Sequence, residues 1–214
     1  MCKKRVLFAV LALSAGIASA EGNWYLGGSI GQASIDTNNV ARDVASVLRD
    51  DYGATSVYSS TDETDTSWKL FAGYKFNKNF SLEGGYADLG KFHAKAGGVI
   101  GTPVSINAKV DSYAIFVDAV GTLPLNESFS IFGKAGAAYT HTKTKVSGSW
   151  AGFVDSSSDS DNEVVPKLGL GAEYNLTKTV TVRAEYERYF KVGDKNQTGE
   201  SDVGVWSVGV KMAF

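Results

Sequence analysis

Eight windows of this chain alternate between large apolar side chains and small or charged ones, and nearly every charge falls on the same side of the alternation. The windows are 24–34, 68–76, 80–88, 112–123, 129–139, 165–174, 180–189 and 205–214, each 9–12 residues long. Side chains of a strand point alternately to its two faces, so a period of two is a strand signal. In 68–76 one face carries Trp68, Leu70, Ala72, Tyr74 and Phe76, and the other Lys69, Phe71, Gly73 and Lys75. A strand tilted across a bilayer needs about 9–11 residues to span the hydrocarbon. No apolar run after Ala20 is long enough for a membrane helix. In lipid, a chain without helices must close its sheet so that every backbone N–H and C=O is paired.

A soluble sandwich alternates as well, and the charges decide between the two folds. Eleven charged residues share one face: Lys69, Lys75, Lys134, Lys167, Arg183 and Lys211 against Glu83, Asp118, Glu173, Glu185 and Glu187. Only Asp88 and Arg188 fall on the apolar face, both at window ends. Lys or Arg on the lipid face at the bilayer midplane costs about 2–4 kcal/mol, which gives the sorting a physical cause. The charged face is padded with Gly, Ala and Ser, as a lumen narrow enough for side chains to fill requires. Aromatic residues bunch at the window ends as interfacial belts do. Trp24, Tyr74, Phe76, Phe80, Phe129, Tyr174 and Phe214 make one belt, and Trp68, Tyr86, Tyr113, Tyr139, Tyr186 and Trp206 the other. The prediction is an all-β fold, an eight-stranded antiparallel transmembrane β-barrel.

The N-terminus reads as an address. Lys3, Lys4 and Arg5 precede an apolar stretch over 6–17, and Ala18, Ser19 and Ala20 form a small-residue cleavage site. This is the pattern of a secretory signal peptide, expected over 1–20 and cleaved before Glu21, with the barrel domain over 21–214. A single-span helix is disfavoured because Ser14 and Gly16 interrupt the run and Glu21 follows it. Cys2, the one cysteine, leaves with the leader, so no disulfide or thiolate metal site is expected in the mature chain. Removing three basic residues takes Lys plus Arg from 21 to 18 against 23 Asp plus Glu, a net charge of -5. A mildly acidic surface lacks the basic stripe that a nucleic-acid partner requires.

Connections alternate in length. Residues 77–79, 124–128 and 175–179 make tight turns, whereas 36–67, 89–111, 140–164 and 190–204 read as four long loops. Outer-membrane barrels place short turns in the periplasm and long loops outside. Val40, Val44, Val47 and Leu48 at helical spacing in the first loop suggest a short amphipathic helix packing there.

Several of these residues resemble the OmpA-type transmembrane domain and its small outer-membrane barrel relatives. The resemblance covers most of the mature chain. It is carried by Trp24-Tyr25 in the first window, Ala72-Gly73-Tyr74 in the second and the run from Phe80 to Tyr86 in the third. Gly171-Ala172-Glu173-Tyr174 in the sixth window and Arg183-Ala184-Glu185-Tyr186 in the seventh add to it. The row Trp206, Val208, Val210, Met212 and Phe214 looks like the C-terminal signal read by the outer-membrane assembly machinery. The resemblance implies an interior plugged by ion pairs and outward-facing loops. The chain ends with the eighth window, so the periplasmic peptidoglycan-binding domain of full-length OmpA proteins, and with it cell-wall tethering, is not expected.

The expected function is a structural and surface-interaction anchor in the outer membrane. Glu83, Asp118, Lys134, Lys167, Glu173, Arg183, Glu185, Glu187 and Lys211 form its lumen ion-pair network. Arg183 is read as the hub cation linking Glu83, Glu173 and Glu185, with Asp118 and Lys134 at one height and Lys211 beside Glu185 and Glu187. The alternative is a narrow channel, which would need these charges to rearrange. A lipid A- or lipid-modifying barrel is weighed third, because such chemistry needs a histidine near a serine. Only His93 and His141 exist, and no spacing ties either to Ser147, Ser149 or the serines at 156–158. Asp155, Asp159, Asp161 and Glu163 suit a hard cation in donor type but lack the EF-hand glycine and terminal glutamate, and read as a solvated loop. Gly27, Gly28 and Gly31 lack the Gly-Lys-Ser/Thr of a phosphate loop and read as small lumen residues and close strand contacts. Expected partners are outer-membrane lipids and lipopolysaccharide, the assembly machinery and an extracellular ligand at the loops. No cofactor or metal is expected, and the barrel is expected to be a monomer.

Overall fold

The computed structural model describes residues 23–35, 46–47, 49–51, 53–62, 64–150, 153–192 and 201–214. The leader expected over 1–20 lies outside them, as do Val40, Val44 and Leu48. Among the described residues there are nine strands: β1 (Trp24–Ile35), β2 (Thr55–Asp62), β3 (Thr64–Lys75), β4 (Phe80–Ile100), β5 (Thr102–Pro124), β6 (Phe129–Trp150), β7 (Phe153–Asn175), β8 (Val180–Val192) and β9 (Ser201–Ala213). All pairings are antiparallel, and eight strands close in the order β1, β3, β4, β5, β6, β7, β8, β9 and back to β1. Closure pairs first strand with last, so the ring has no open edge. β2 stands outside the ring, alongside the distal half of β4.

The faces follow the sequence alternation. Leu26, Leu70, Leu82, Ile115, Val117, Leu168, Leu170 and Val208 are exposed, while Phe71, Ala114, Phe116, Phe132 and Ala138 between them are buried. At one end of the ring three tight turns repeat one device. The Asn77 side-chain oxygen accepts from the backbone N–H groups of Asn79 and Phe80, and Asn126 does the same for Ser128 and Phe129. Thr177 takes that role for Thr179 and Val180 with its hydroxyl. Side-chain acceptors of this kind stand in for a backbone turn.

The opposite end departs from expectation. The described residues of the loops expected over 89–111 and 140–164 are almost all strand: β4 and β5 run 21 and 23 residues and meet at Gly101 (φ 66°), and β6 and β7 run 22 and 23. About 10 residues cross the hydrocarbon, so these hairpins continue well past it as two β-arms. The period of two persists there with its polarity reversed: Lys91, His93, Lys95 and Lys109 face out, while Phe92, Ala94, Ala96 and Val110 face in. Water has replaced lipid outside the wall, so charges now belong there. In β4 a bulge between Asp88 and Lys91 makes the switch, with Gly90 at φ 87°. The first long loop is also partly strand, as β2 and the start of β3. Of the expected helix the described residues show one turn, in which Asp51 N–H donates to the Val47 carbonyl at 3.0 Å, and Val47 is exposed.

Candidate functional site: the barrel lumen

The lumen is filled in layers. At the turn end a vestibule of about 590 Å³ is lined by Asn23, Lys75, Ser130, Asn175, Thr181 and Lys211. Beyond it lie five cations, Lys69, Lys134, Lys167, Arg183 and Lys211, and five carboxylates, Glu83, Asp118, Glu173, Glu185 and Glu187, none more than 7% exposed. The layer is therefore neutral when all ten are ionised. Neutrality matters because a buried charge persists only when paired and hydrogen-bonded.

Arg183 donates to Glu83 at 2.9 Å and to Glu173 at 2.8 Å. Lys134 sits 2.7 Å from Glu83, 2.8 Å from Glu185 and 3.6 Å from Glu187. Lys167 bridges Asp118 at 2.6 Å and Glu187 at 2.8 Å. Lys69 joins Glu185 and lies 2.8 Å from Glu187. Lys211 reaches both oxygens of Glu173 at 2.7 Å. The Tyr25 hydroxyl donates to Glu83 at 2.9 Å. Every carboxylate of the layer has at least one cation against it, and the cations link them into one net.

Aromatic rings floor this net. The Arg183 guanidinium lies 4.5 Å from the Phe132 ring centre and 4.8 Å from that of Phe71, and the Lys167 ammonium lies 3.9 Å from that of Phe116. Inward glycines on neighbouring strands make room for the rings. A Cβ on Gly73 would sit 2.2 Å from the Tyr25 ring, and one on Gly171 would sit 2.5 Å from Phe132. Toward the arms Ala33, Leu89, Phe92, Tyr189, Val192 and Val203 form a buried apolar cap. Between cap and charges, a void lined by Ser29, Lys69, Glu187, Tyr189 and Ser207 has room for about 10 Å³, at the limit of one water molecule.

Three expected placements lead to other pairings. Asp118 and Lys134 do not pair; Asp118 meets Lys167, and Lys134 meets three glutamates. Glu185 is held by Lys69 and Lys134, whereas Arg183 holds Glu83 and Glu173. Lys211 meets Glu173, with Glu185 and Glu187 taken by other cations. The cause is the bore. β4 and β8 are opposite strands of the ring, yet Glu83 and Arg183 touch, so partners are chosen across the lumen as well as between neighbouring strands. Sequence reasoning left Lys69 and Tyr25 out of the network. Charge balance was the available signal, because the nine expected members comprise four cations and five carboxylates.

The other sequence candidates lie elsewhere. Trp206, Val208, Val210 and Met212 form an exposed row on β9, and Phe214 N–H donates to the Trp24 carbonyl at 3.2 Å across the closing seam. His93, expected in a loop, is on the outer face of β4. The His141 ring lies 4.9 Å from Tyr113, with Nδ1 2.7 Å from the Asn162 side-chain oxygen. Asp155, Asp159, Asp161 and Glu163 share one face of β7, with Ser156, Ser158, Ser160 and Asn162 on the other, and no cluster of three metal-ligating side chains occurs among the described residues.

An eight-stranded ring with an apolar exterior, belts of rings at both ends and a charge-filled interior defines a transmembrane β-barrel. The chain belongs to the OmpA-like transmembrane domain family, whose model matches residues 19–214. It is 28% identical over 199 residues to outer membrane protein A of Yersinia pseudotuberculosis, covering 92% of this chain and 50% of that protein. An uncharacterized protein of Coxiella burnetii is 32% identical over 152 residues, 61% of this chain and 60% of that one. The chain thus spans about half the length of the outer membrane protein A relatives it matches. Among solved structures, the outer membrane protein OprG of Pseudomonas aeruginosa superposes with a TM-score of 0.53 at 13% identity, covering 90% of this chain and 96% of that one. The outer membrane protease OmpT of Escherichia coli gives 0.51 at 11% identity, over 94% and 99%. Likenesses at such identity are likenesses of fold. The protein is an outer-membrane β-barrel, embedded in the lipid of that membrane.

Proposed function

We propose that the barrel is a closed anchor that holds two long β-arms at the cell surface, and that it acts as a surface-interaction protein without catalysis of its own. The observation that carries this reading is the neutral, buried layer of five cations and five carboxylates, sealed on the arm side by apolar side chains. A solute path would have to break both layers, which weighs against the narrow channel. The lipid-modifying alternative is weakened because His141 is engaged with Asn162 and the row of His93 reaches Ser158 only past Lys109 and Lys145. On this reading residues 1–20 are a cleaved signal peptide, the turn end lies in the periplasm and the arms lie outside. Outer-leaflet lipid surrounds the belts, and any external ligand meets the arms.

Orientation is the part most easily tested. The sole cysteine is Cys2, so a single introduced cysteine can be labelled cleanly once the leader is removed. Ser158→Cys on the β7 arm is expected to react with a membrane-impermeant maleimide on intact cells, and Lys78→Cys in the first turn only after the cells are broken. The reverse pattern would place the arms in the periplasm and end the anchor reading.

A further inference from the structure

Six cations face inward along the eight crossings, and the buried layer uses five of them. Lys75, the sixth, points into the vestibule at the turn end. Its ammonium lies 5.8 Å from the Tyr25 ring centre and has no carboxylate within 4 Å among the described residues. Lys211 lies 5.0 Å from the same ring but is committed to both oxygens of Glu173. One of those oxygens also accepts from Arg183, so the carboxylate at the vestibule floor is already neutralised. On the rim, Lys78 and Glu127 are exposed in the turns with opposite signs. The vestibule is therefore a blind cup, closed below by the ion-pair net, with one cation left unmatched. Low-dielectric walls around charge of one sign focus its field and concentrate the counter-charge there.

We infer that the vestibule binds a small, singly charged carboxylate that also carries hydroxyl groups, a molecule of sugar-acid size. Charge sets the class. One unmatched ammonium balances one carboxylate, whereas a phosphate dianion would bring surplus charge, and no arginine lines the cup to take it in a two-pronged grip. The wall supplies the polar partners for hydroxyls: Ser81 comes from β4, Ser130 from β6 and Thr181 from β8. Ser130 makes no side-chain hydrogen bond among the described residues, and Thr181 donates to the Asn175 side-chain oxygen at 2.8 Å, which leaves its own oxygen to accept. Volume sets the size, because about 590 Å³ is far more than a bare carboxylate fills and falls within the range of about 300–1,000 Å³ usual for ligand pockets. Phe80 and Pro124 offer apolar surface to the carbon skeleton at the rim. Such a ligand enters and leaves by the same mouth, so the site retains a solute without passing it, whichever compartment the turns face.

The test follows the backbone amide resonances of the refolded mature chain in detergent micelles while glucuronate is added. Saturable shifts are expected at Ser81, Ser130 and Thr181, and none on the arms. Glucose, which has the ring and hydroxyls without the carboxylate, is expected to shift nothing. Lys75→Gln is expected to weaken glucuronate binding about tenfold or more, the effect of losing a hydrogen bond to a charged group. Ser130→Asp, which sets a second carboxylate in the wall, is expected to weaken it in the same direction from an independent position. The absence of saturable shifts, equal binding by the parent and Lys75→Gln, or glucose binding as tight as that of glucuronate would overturn the inference. So would tighter binding of inorganic phosphate, which would make the cup a phosphate site. Each of these results leaves the closed lumen untouched, because single-channel current tests that separately.

Discussion

Replacing Arg183 with alanine is expected to lower the unfolding free energy by about 3–5 kcal/mol, the usual cost of removing one partner from a buried ion pair. Arg183 is 1% exposed, and its two ion-pair partners, Glu83 and Glu173, are 1% and 6% exposed. The variant leaves four cations against five carboxylates, together with a cavity between the Phe71 and Phe132 rings. Lys134 still holds Glu83 and Lys211 still holds Glu173, which favours the lower half of that range. Adding Glu83→Gln restores four against four and is expected to recover part of the loss, a non-additivity that contacting residues show and distant ones do not. Urea unfolding in lipid vesicles measures both variants. A midpoint unchanged in the single variant would mean that the network contributes nothing to stability. Conductance is expected to stay at the parent level, because Leu89, Phe92, Tyr189 and Val203 close the lumen independently of Arg183.

Deleting Phe214 is expected to remove most of the protein from the outer membrane and leave it to degradation in the periplasm. Phe214 ends the exposed row Trp206, Val208, Val210 and Met212, and its N–H reaches the Trp24 carbonyl where the last strand meets the first. The seam joins the first strand of the ring to the last, and without it both strand edges are open in a medium that cannot satisfy them. One hydrogen bond at a strand end is a small part of the β1–β9 ladder, so a purely structural role predicts a mild defect. A signal role predicts near-complete loss with rescue by Phe214→Tyr, which keeps a terminal ring. Outer-membrane levels of the deletion variant near those of the parent would exclude the signal.

The eight crossings and their facing were legible in the sequence because hydrocarbon punishes a misplaced charge severely. Lys69, Glu83, Asp118 and Arg183 had only one face available to them. The arms were not legible, although their period of two is as regular. Lys91, His93 and Lys95 alternate with Phe92, Ala94 and Ala96 in the polarity of a water-exposed wall, and a search for apolar-out strands reads that reversal as the end of the strand. The lumen's membership was largely legible and its wiring was not. Counting residues from the turns relates neighbouring strands, whereas Glu83 and Arg183 meet across the bore, and Lys69 of β3 joins Glu185 of β8. The fit of Tyr25 over Gly73 left no trace that alternation alone could read, because small and aromatic residues share the inward face without an order of their own.

Single-channel current across a planar bilayer, recorded on the refolded mature chain, addresses whether the lumen is shut. Neutral pairing in a layer no more than 7% exposed, under an apolar cap, predicts a flat baseline at physiological salt, with no discrete steps at either polarity. The same baseline is expected with Arg183→Ala. Reproducible unitary openings in the parent protein, lost when the barrel is unfolded, would contradict a closed anchor and make the vestibule at the turn end the mouth of a pore.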